Sequence, residues 1–150
     1  MQRFTTREEV LAAAGSNLGS SGWHTVNEDR IDAFADTVDD HQWIHLDRER
    51  ASVDPSNSRV VHGFLTLALI PSMLRQVYTV EAASVTINYG LERVRFPVPL
   101  AAGSEVRVHA VLKTATVESD RVRVVTAVSV EERGKSKPCC VAEWVTLLYF

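Results

Sequence analysis

The stretch His62-Gly63-Phe64-Leu65-Thr66-Leu67-Ala68-Leu69-Ile70-Pro71-Ser72-Met73-Leu74-Arg75-Gln76-Val77 has no polar face when it is coiled as a helix. Phe64, Leu65, Leu67, Ala68, Leu69, Ile70, Met73, Leu74 and Val77 surround the axis almost completely. A helix that is apolar nearly all round is expected to be buried nearly all round. From His62 to Val77 it would run about 24 Å at the standard rise per residue. Pro71 lies inside it and is expected to kink it or force a local break, because proline lacks an N–H and its ring meets the preceding turn. Arg75 and Gln76 mark where it re-emerges.

On the C-terminal side of this helix the pattern changes to strands. Val85-Thr86-Ile87-Asn88-Tyr89 alternates, and after Gly90 the apolar phase shifts to Val94 and Phe96. That shift predicts a bulge between Gly90 and Arg93, and Pro97 and Pro99 then stop pairing. Val106 to Leu112 and Arg121 to Val124 alternate too, with Glu118-Ser119-Asp120 as the hairpin turn between them and Gly134 to Pro138 as the next turn. Val141 to Phe150 is apolar on both faces, as for a strand covered by a helix on one side and by another subunit or segment on the other.

On the N-terminal side lie shorter helices. Thr6 to Ala14 reads as one, capped by Thr5 or Thr6 and ended by Gly15. Asn27 to Asp36 reads as a second, with Asn27 as its cap and Ile31, Phe34 and Ala35 on one apolar face. Asp47 to Ala51 is a further turn with Asp47 near its cap. Helices first and strands after predict an α+β protein. A curved antiparallel β-sheet wrapped around a long central α-helix, the hotdog fold, would bury that helix on most of its circumference.

Length and composition agree. One domain over residues 1–150 is expected, with 45% hydrophobic and 23% charged residues and no repeat or linker. Sixteen basic against 19 acidic residues give a net charge of −3, with no basic block, so nucleic acid and anionic membrane are not expected partners. The N-terminal stretch Met1 to Glu9 is polar, and Leu67 to Pro71 is too short to span a bilayer, which makes a cytoplasmic location the expectation. The two cysteines, Cys139 and Cys140, are adjacent; in a strand they point to opposite faces and cannot readily bridge each other. No third cysteine completes a metal set with them, so reduced core or surface thiols are expected.

Two stretches carry candidate chemistry. In Asp36-Thr37-Val38-Asp39-Asp40-His41-Gln42-Trp43-Ile44-His45-Leu46-Asp47, Asp40 and His45 are five residues apart. On a continuous helix they would face about 140° apart, so they converge only if the backbone bends between them. A carboxylate and an imidazole suit the addition of water, one taking a proton from the attacking water and one delivering a proton to carbon. Spacing alone favours caps and solvated charges around a turn. At the start of the long helix, the Gly63 N–H lies where intrahelical partners are missing, at the positive end of the dipole. Those are the parts of an oxyanion site, and glycine would let a substrate approach the backbone. The alternative is that Gly63 only permits close packing and His62 is a satisfied core histidine.

Together these stretches resemble the MaoC-like family, the (R)-specific enoyl-CoA hydratases and related hydroxyacyl dehydratases. Ala35, Asp40, His45 and Asp47 match the hydratase signature. His62-Gly63 matches the pair that opens the central helix. Asn88-Tyr89-Gly90, then Val94-Arg95-Phe96-Pro97-Val98-Pro99 and Gly103, resemble the strand that follows. The similarity runs from Trp23 to about Val145. Val38-Asp39 stand where the family usually has Ser or Thr then Gly, and aspartate tolerates the positive φ that glycine would supply. Gln42-Trp43 replace the usual Asn-Pro, Val61 a small residue, and Pro71 a serine of some members.

The resemblance implies the hotdog fold, a homodimer, and reversible hydration of a trans-2-enoyl-CoA to a (R)-3-hydroxyacyl-CoA. Asp40 and His45 would be the catalytic pair. Gly63 and His62 would form the oxyanion and substrate-binding region, with Gln42 and Asn88 as weaker substrate or supporting candidates. No metal or other cofactor is called for; acyl-CoA, or an acyl carrier protein thioester, is the substrate. Two alternatives remain: a thioesterase on the same fold, and a non-catalytic acyl-binding subunit of a hetero-oligomer.

Overall fold

The computed structural model describes residues 1–53 and 58–150. A short strand β1 (Gln2–Phe4) leads to helix α1 (Arg7–Ala12). Thr6 and Glu9 cap α1 reciprocally: the Thr6 hydroxyl accepts from the Glu9 N–H, and the Glu9 carboxylate accepts from the Thr6 N–H. Strands β2 (Asn17–Ser20) and β3 (His24–Thr25) precede helix α2 (Glu28–Val38), where the Asn27 side chain accepts from the Arg30 N–H. Two single turns follow, α3 (Trp43–Leu46) and α4 (Arg48–Ser52), the latter capped by Asp47. The long helix α5 (Gly63–Val77) comes next, then β4 (Tyr78–Val80), β5 (Val85–Arg95), β6 (Glu105–Glu118), β7 (Arg121–Glu132) and β8 (Cys140–Tyr149).

The strands form an antiparallel sheet in the order β2-β6-β7-β8-β5, with β3 also pairing β6. Strict alternation puts one face of each long strand inward: Val106, Val108, Ala110 and Leu112 from β6, Val122, Val124, Val128 and Val130 from β7, Ala142, Trp144 and Leu148 from β8. This face packs on Ile70, Met73, Leu74 and Val77 of α5 in one core. The result is the expected hotdog arrangement. β5 shifts register against β8 between Asn88 and Gly90 and again between Leu91 and Arg93, where the change of apolar phase predicted a bulge. No described helix is long and apolar enough to cross a membrane.

Three expectations are narrowed. First, α5 is continuous through Pro71, so the break that was one of the two expected outcomes does not occur. The proline costs a helix interior about 3 kcal/mol, which burial of the flanking Leu67, Ile70, Met73 and Leu74 outweighs at roughly 1.5–3 kcal/mol per side chain. Second, α5 is not buried all round. Phe64, 70% exposed, and Ala68 lie on an open stripe that continues toward Ser72 and Arg75. Third, of the two covers expected for the outer face of β8, another subunit or another segment, the chain itself suffices. It is an interior strand, and Val145 and Leu147 on its outer face are buried within the one chain. Val125 stands opposite Val145, and Arg123, whose guanidinium is bonded to Glu92, stands opposite Leu147. The parallel pair β1·β4 was not anticipated; three residues on each side are too few to show a period.

Candidate active site

Asp40 and His45 belong to different elements, and the turn between them is made by one residue. α2 ends at Asp39 with φ 57 and ψ 28, the left-handed conformation. The Asp39 and Asp40 N–H groups both donate to the Ala35 carbonyl, and this closes the helix end. The chain therefore reverses, and α3 returns His45 toward Asp40. One donor atom each of Asp40, His45 and His62 lies within 4.8 Å of the others.

A one-turn helix cannot orient a side chain by itself, and the segment before α5 does this for His45. Its Nδ1 lies 2.6 Å from the Val60 carbonyl oxygen. A carbonyl only accepts, so Nδ1 carries the proton and Nε2 keeps its lone pair. The ring is buried, and burial holds its pKa below the ordinary 6.5; the Val60 bond pushes the other way, and His62 adds to the lowering. Asp40 is different: its side chain is 52% exposed and open to water.

His62 is the third member. Its ring stacks on His45 with centroids 3.7 Å apart and planes 20° apart, and it packs on Phe34 at 5.2 Å. Its Nε2 donates to the Asp40 carbonyl at 3.0 Å and lies 3.9 Å from the Asp40 carboxylate. Its Nδ1 is buried without a partner. His62 is thus a wedge holding Asp40 and His45 in place. The three donors are close enough for a cation, but His62 Nε2 is already bonded to the Asp40 carbonyl.

Gly63 is the first residue of α5, so its N–H has no intrahelical partner. A Cβ there would lie 3.1 Å from the Phe96 ring, which shows that glycine makes room for Phe96. The cleft over these groups holds about 640 Å³ and is walled by Phe34, Val38, Leu67, Leu91 and Trp144. Two other candidates fall elsewhere. Gln42 is exposed just before α3 and its side chain makes no capping bond. Asn88 accepts from the Trp144 indole N–H at 3.2 Å and lines a second cavity of about 320 Å³, beyond Trp144 and beside Pro71 and Leu74. The spacing of one residue per strand face does not reveal which side of an indole a neighbour occupies.

Two residues not singled out in the sequence matter here. Trp144 is the wall shared by both cavities. Arg59 is buried and donates through Nε to the His45 carbonyl at 2.5 Å. The only sequence signal for Arg59 is indirect: Glu28 and Asp32, one turn apart on α2, present two acids that call for a cation.

Residues 9–134 match the protein family described as a MaoC like domain. A relative from Mycobacterium tuberculosis, 3-hydroxyacyl-thioester dehydratase Z, is 42% identical over 144 residues, 95% of each chain. Among solved structures, the (R)-hydratase from A. caviae involved in PHA biosynthesis superposes with TM-score 0.71 at 21% identity, covering 89% of this chain and 94% of that one. The monoamine oxidase regulatory protein from Archaeoglobus fulgius superposes with TM-score 0.78 at 19% identity over 99% and 96%.

Proposed function

This chain belongs to the MaoC-like domain family, and on that premise we propose that it reversibly adds water across a trans-2-enoyl thioester to give a (R)-3-hydroxyacyl thioester. It is an enzyme of the hydro-lyase class acting on acyl thioesters. The observation that carries the finer reading is the approach of Asp40 to a neutral His45 whose Nε2 is free.

In this reading a water lies between the Asp40 carboxylate and His45 Nε2. His45 takes a proton from the water as its oxygen bonds to the β-carbon, and the π electrons move to the α-carbon and the thioester carbonyl. Asp40 orients the water, receives that proton from His45 and delivers it to the α-carbon. One proton enters the pair and one leaves it, so the pair ends as it began. The Gly63 N–H at the start of α5 polarises the carbonyl, and a preorganised donor of this kind contributes about 10²–10³ in rate. His62, which lines the cleft, holds the two groups and bounds the substrate region beside Gly63. The acyl chain runs along α5 past Trp144 toward the second cavity. The scheme calls for no metal or redox cofactor. CoA and acyl carrier protein thioesters both present the same reacting atoms.

A homodimer goes with this reading. β5 is an edge strand with Val85, Ile87, Tyr89 and Leu91 exposed, and an edge of that length and polarity is a template for pairing. The second copy's β5 is the proposed partner, and Ile87→Lys should yield a monomer in light scattering.

The test of function is the loss of crotonyl-CoA absorbance. Asp40→Asn and His45→Gln should each lower kcat by about 10²–10⁴ with the fold unchanged. Release of free thiol without hydration would instead favour a thioesterase. Ligand binding with no turnover on any enoyl-CoA would favour an acyl-binding subunit.

A further inference from the structure

Arg59 is nearly sealed inside the protein, with 6% of its side chain exposed, yet it touches no part of the cleft. Its guanidinium is divided among three partners on two elements. Nε donates to the His45 carbonyl at the end of α3. One Nη donates to Glu28 at 3.4 Å and the other to Asp32, both on α2. Glu28 also accepts from Arg48 of α4. The adjoining backbone adds two bonds: the Val60 N–H donates to the Ile44 carbonyl at 2.9 Å, and the Val60 carbonyl accepts from His45.

These contacts are arranged around the two halves of the site. α2 delivers Asp40, and α3 delivers His45. α3 is a single turn whose last carbonyls lack helical partners, and Arg59 and Val60 satisfy two of them. A buried cation with two acid partners is held in one position, because breaking any arm leaves charge uncompensated. The planar fork fixes direction as well as distance, which a lysine cannot do.

We propose that Arg59 is the positioning residue of the site: its guanidinium locks the helix bearing Asp40 to the turn bearing His45 and so sets their separation. The proposal rests on the hydratase reading only in treating His45 as the base. Misplacement of a reacting group by about 1 Å costs on the order of 10²-fold in rate.

The test combines kinetics with ¹⁵N NMR of the His45 ring in the full chain. Arg59→Lys keeps the charge and loses the fork. It should lower kcat on crotonyl-CoA by about 10–100-fold with KM within about two-fold, and convert the single Nδ1–H tautomer of His45 into a mixture. Arg59→Met also removes a positive charge facing His45. The other charged or titratable groups there are His62 and Asp40, both retained. The acid limb of kcat/KM should therefore move to higher pH in the Met variant and stay in place in the Lys variant. Asp32→Asn frees one arm without emptying the buried site, and it serves if the Arg59 variants do not fold; it should show the same tautomer mixing to a smaller extent. A folded variant that keeps the single tautomer and wild-type kcat overturns the proposal. A wild-type chain that hydrates no enoyl-CoA removes the hydratase reading instead, and the tautomer comparison still decides the role of Arg59.

Discussion

His45 and His62 lie ring on ring, 3.7 Å between centroids, so a charge on either is felt directly by the other. Burial already disfavours the imidazolium of His45, and His62 adds to the effect. The folded-state pKa of His45 therefore lies below 6.5, its value when exposed. The base stays competent through neutral pH, and the acid limb of kcat/KM should fall below about 6.5. Stability follows the same sign. The unfolded chain takes up this proton at higher pH than the native one, so stability is full above the unfolded pKa and is lost as pH falls through the folded pKa. Urea melts at about pH 7.5 and about pH 5.5 should show the loss, and His62→Gln should move the acid limb upward. A limb above about pH 7 in the wild type would contradict this ordering.

Gly63→Ala should damage activity more than stability. The added methyl lies 3.1 Å from the Phe96 ring, but that ring is partly exposed and can swing away. Alanine also favours a helix over glycine by about 1 kcal/mol, so the net change in stability should stay within about 1 kcal/mol. The displaced ring and the methyl crowd the place where the thioester carbonyl meets the helix end. Steady-state kinetics should show kcat/KM down by about 10-fold or more, and Phe96→Leu in the same chain should restore part of it.

Trp144 should set the acyl length. The catalytic cleft is lined by Gly63, Leu67 and Ala68 of α5, and the second cavity by Pro71 and Leu74 of the same helix and Tyr78 of β4, with the indole lining both. Asn88 pins the indole by accepting its N–H. Trp144→Phe should raise kcat/KM for long enoyl-CoAs relative to crotonyl-CoA, and Asn88→Ala should shift the ratio the same way to a smaller degree. A ratio unchanged in both would place the acyl chain elsewhere.

Neither cysteine should react in the native protein. Burial pushes the Cys139 thiol up to about 12 and the Cys140 thiol to about 11, so almost no thiolate exists at neutral pH. A thiol reagent should titrate both groups only in denaturant. The practical benefit is that thiol released from a thioester can be read without interference from the protein.

The sequence made the fold legible where the signal was local and repeated. Thr6, Asn27 and Asp47 cap the helices they were expected to cap, the phase change after Gly90 is a bulge, and α5 is the central helix. The bend after α2 was required before it was seen, because five residues of helix could not have brought Asp40 and His45 together. What stayed hidden depends on partners distant in sequence. The open stripe through Phe64 follows from how far the sheet curls, the side of Trp144 on which Asn88 falls follows from strand register, and the burial of Arg59 follows from two acids on another helix.

At Asp39 the main chain adopts a torsion that most L-residues avoid, and that torsion turns the chain out of the helix just before Asp40. The working geometry is therefore stored in backbone handedness, and the carboxylate at position 39 is surplus to it. Glycine or asparagine there should leave turnover intact, whereas a β-branched residue such as valine would have to unwind the end of the helix and carry the reacting carboxylate away with it.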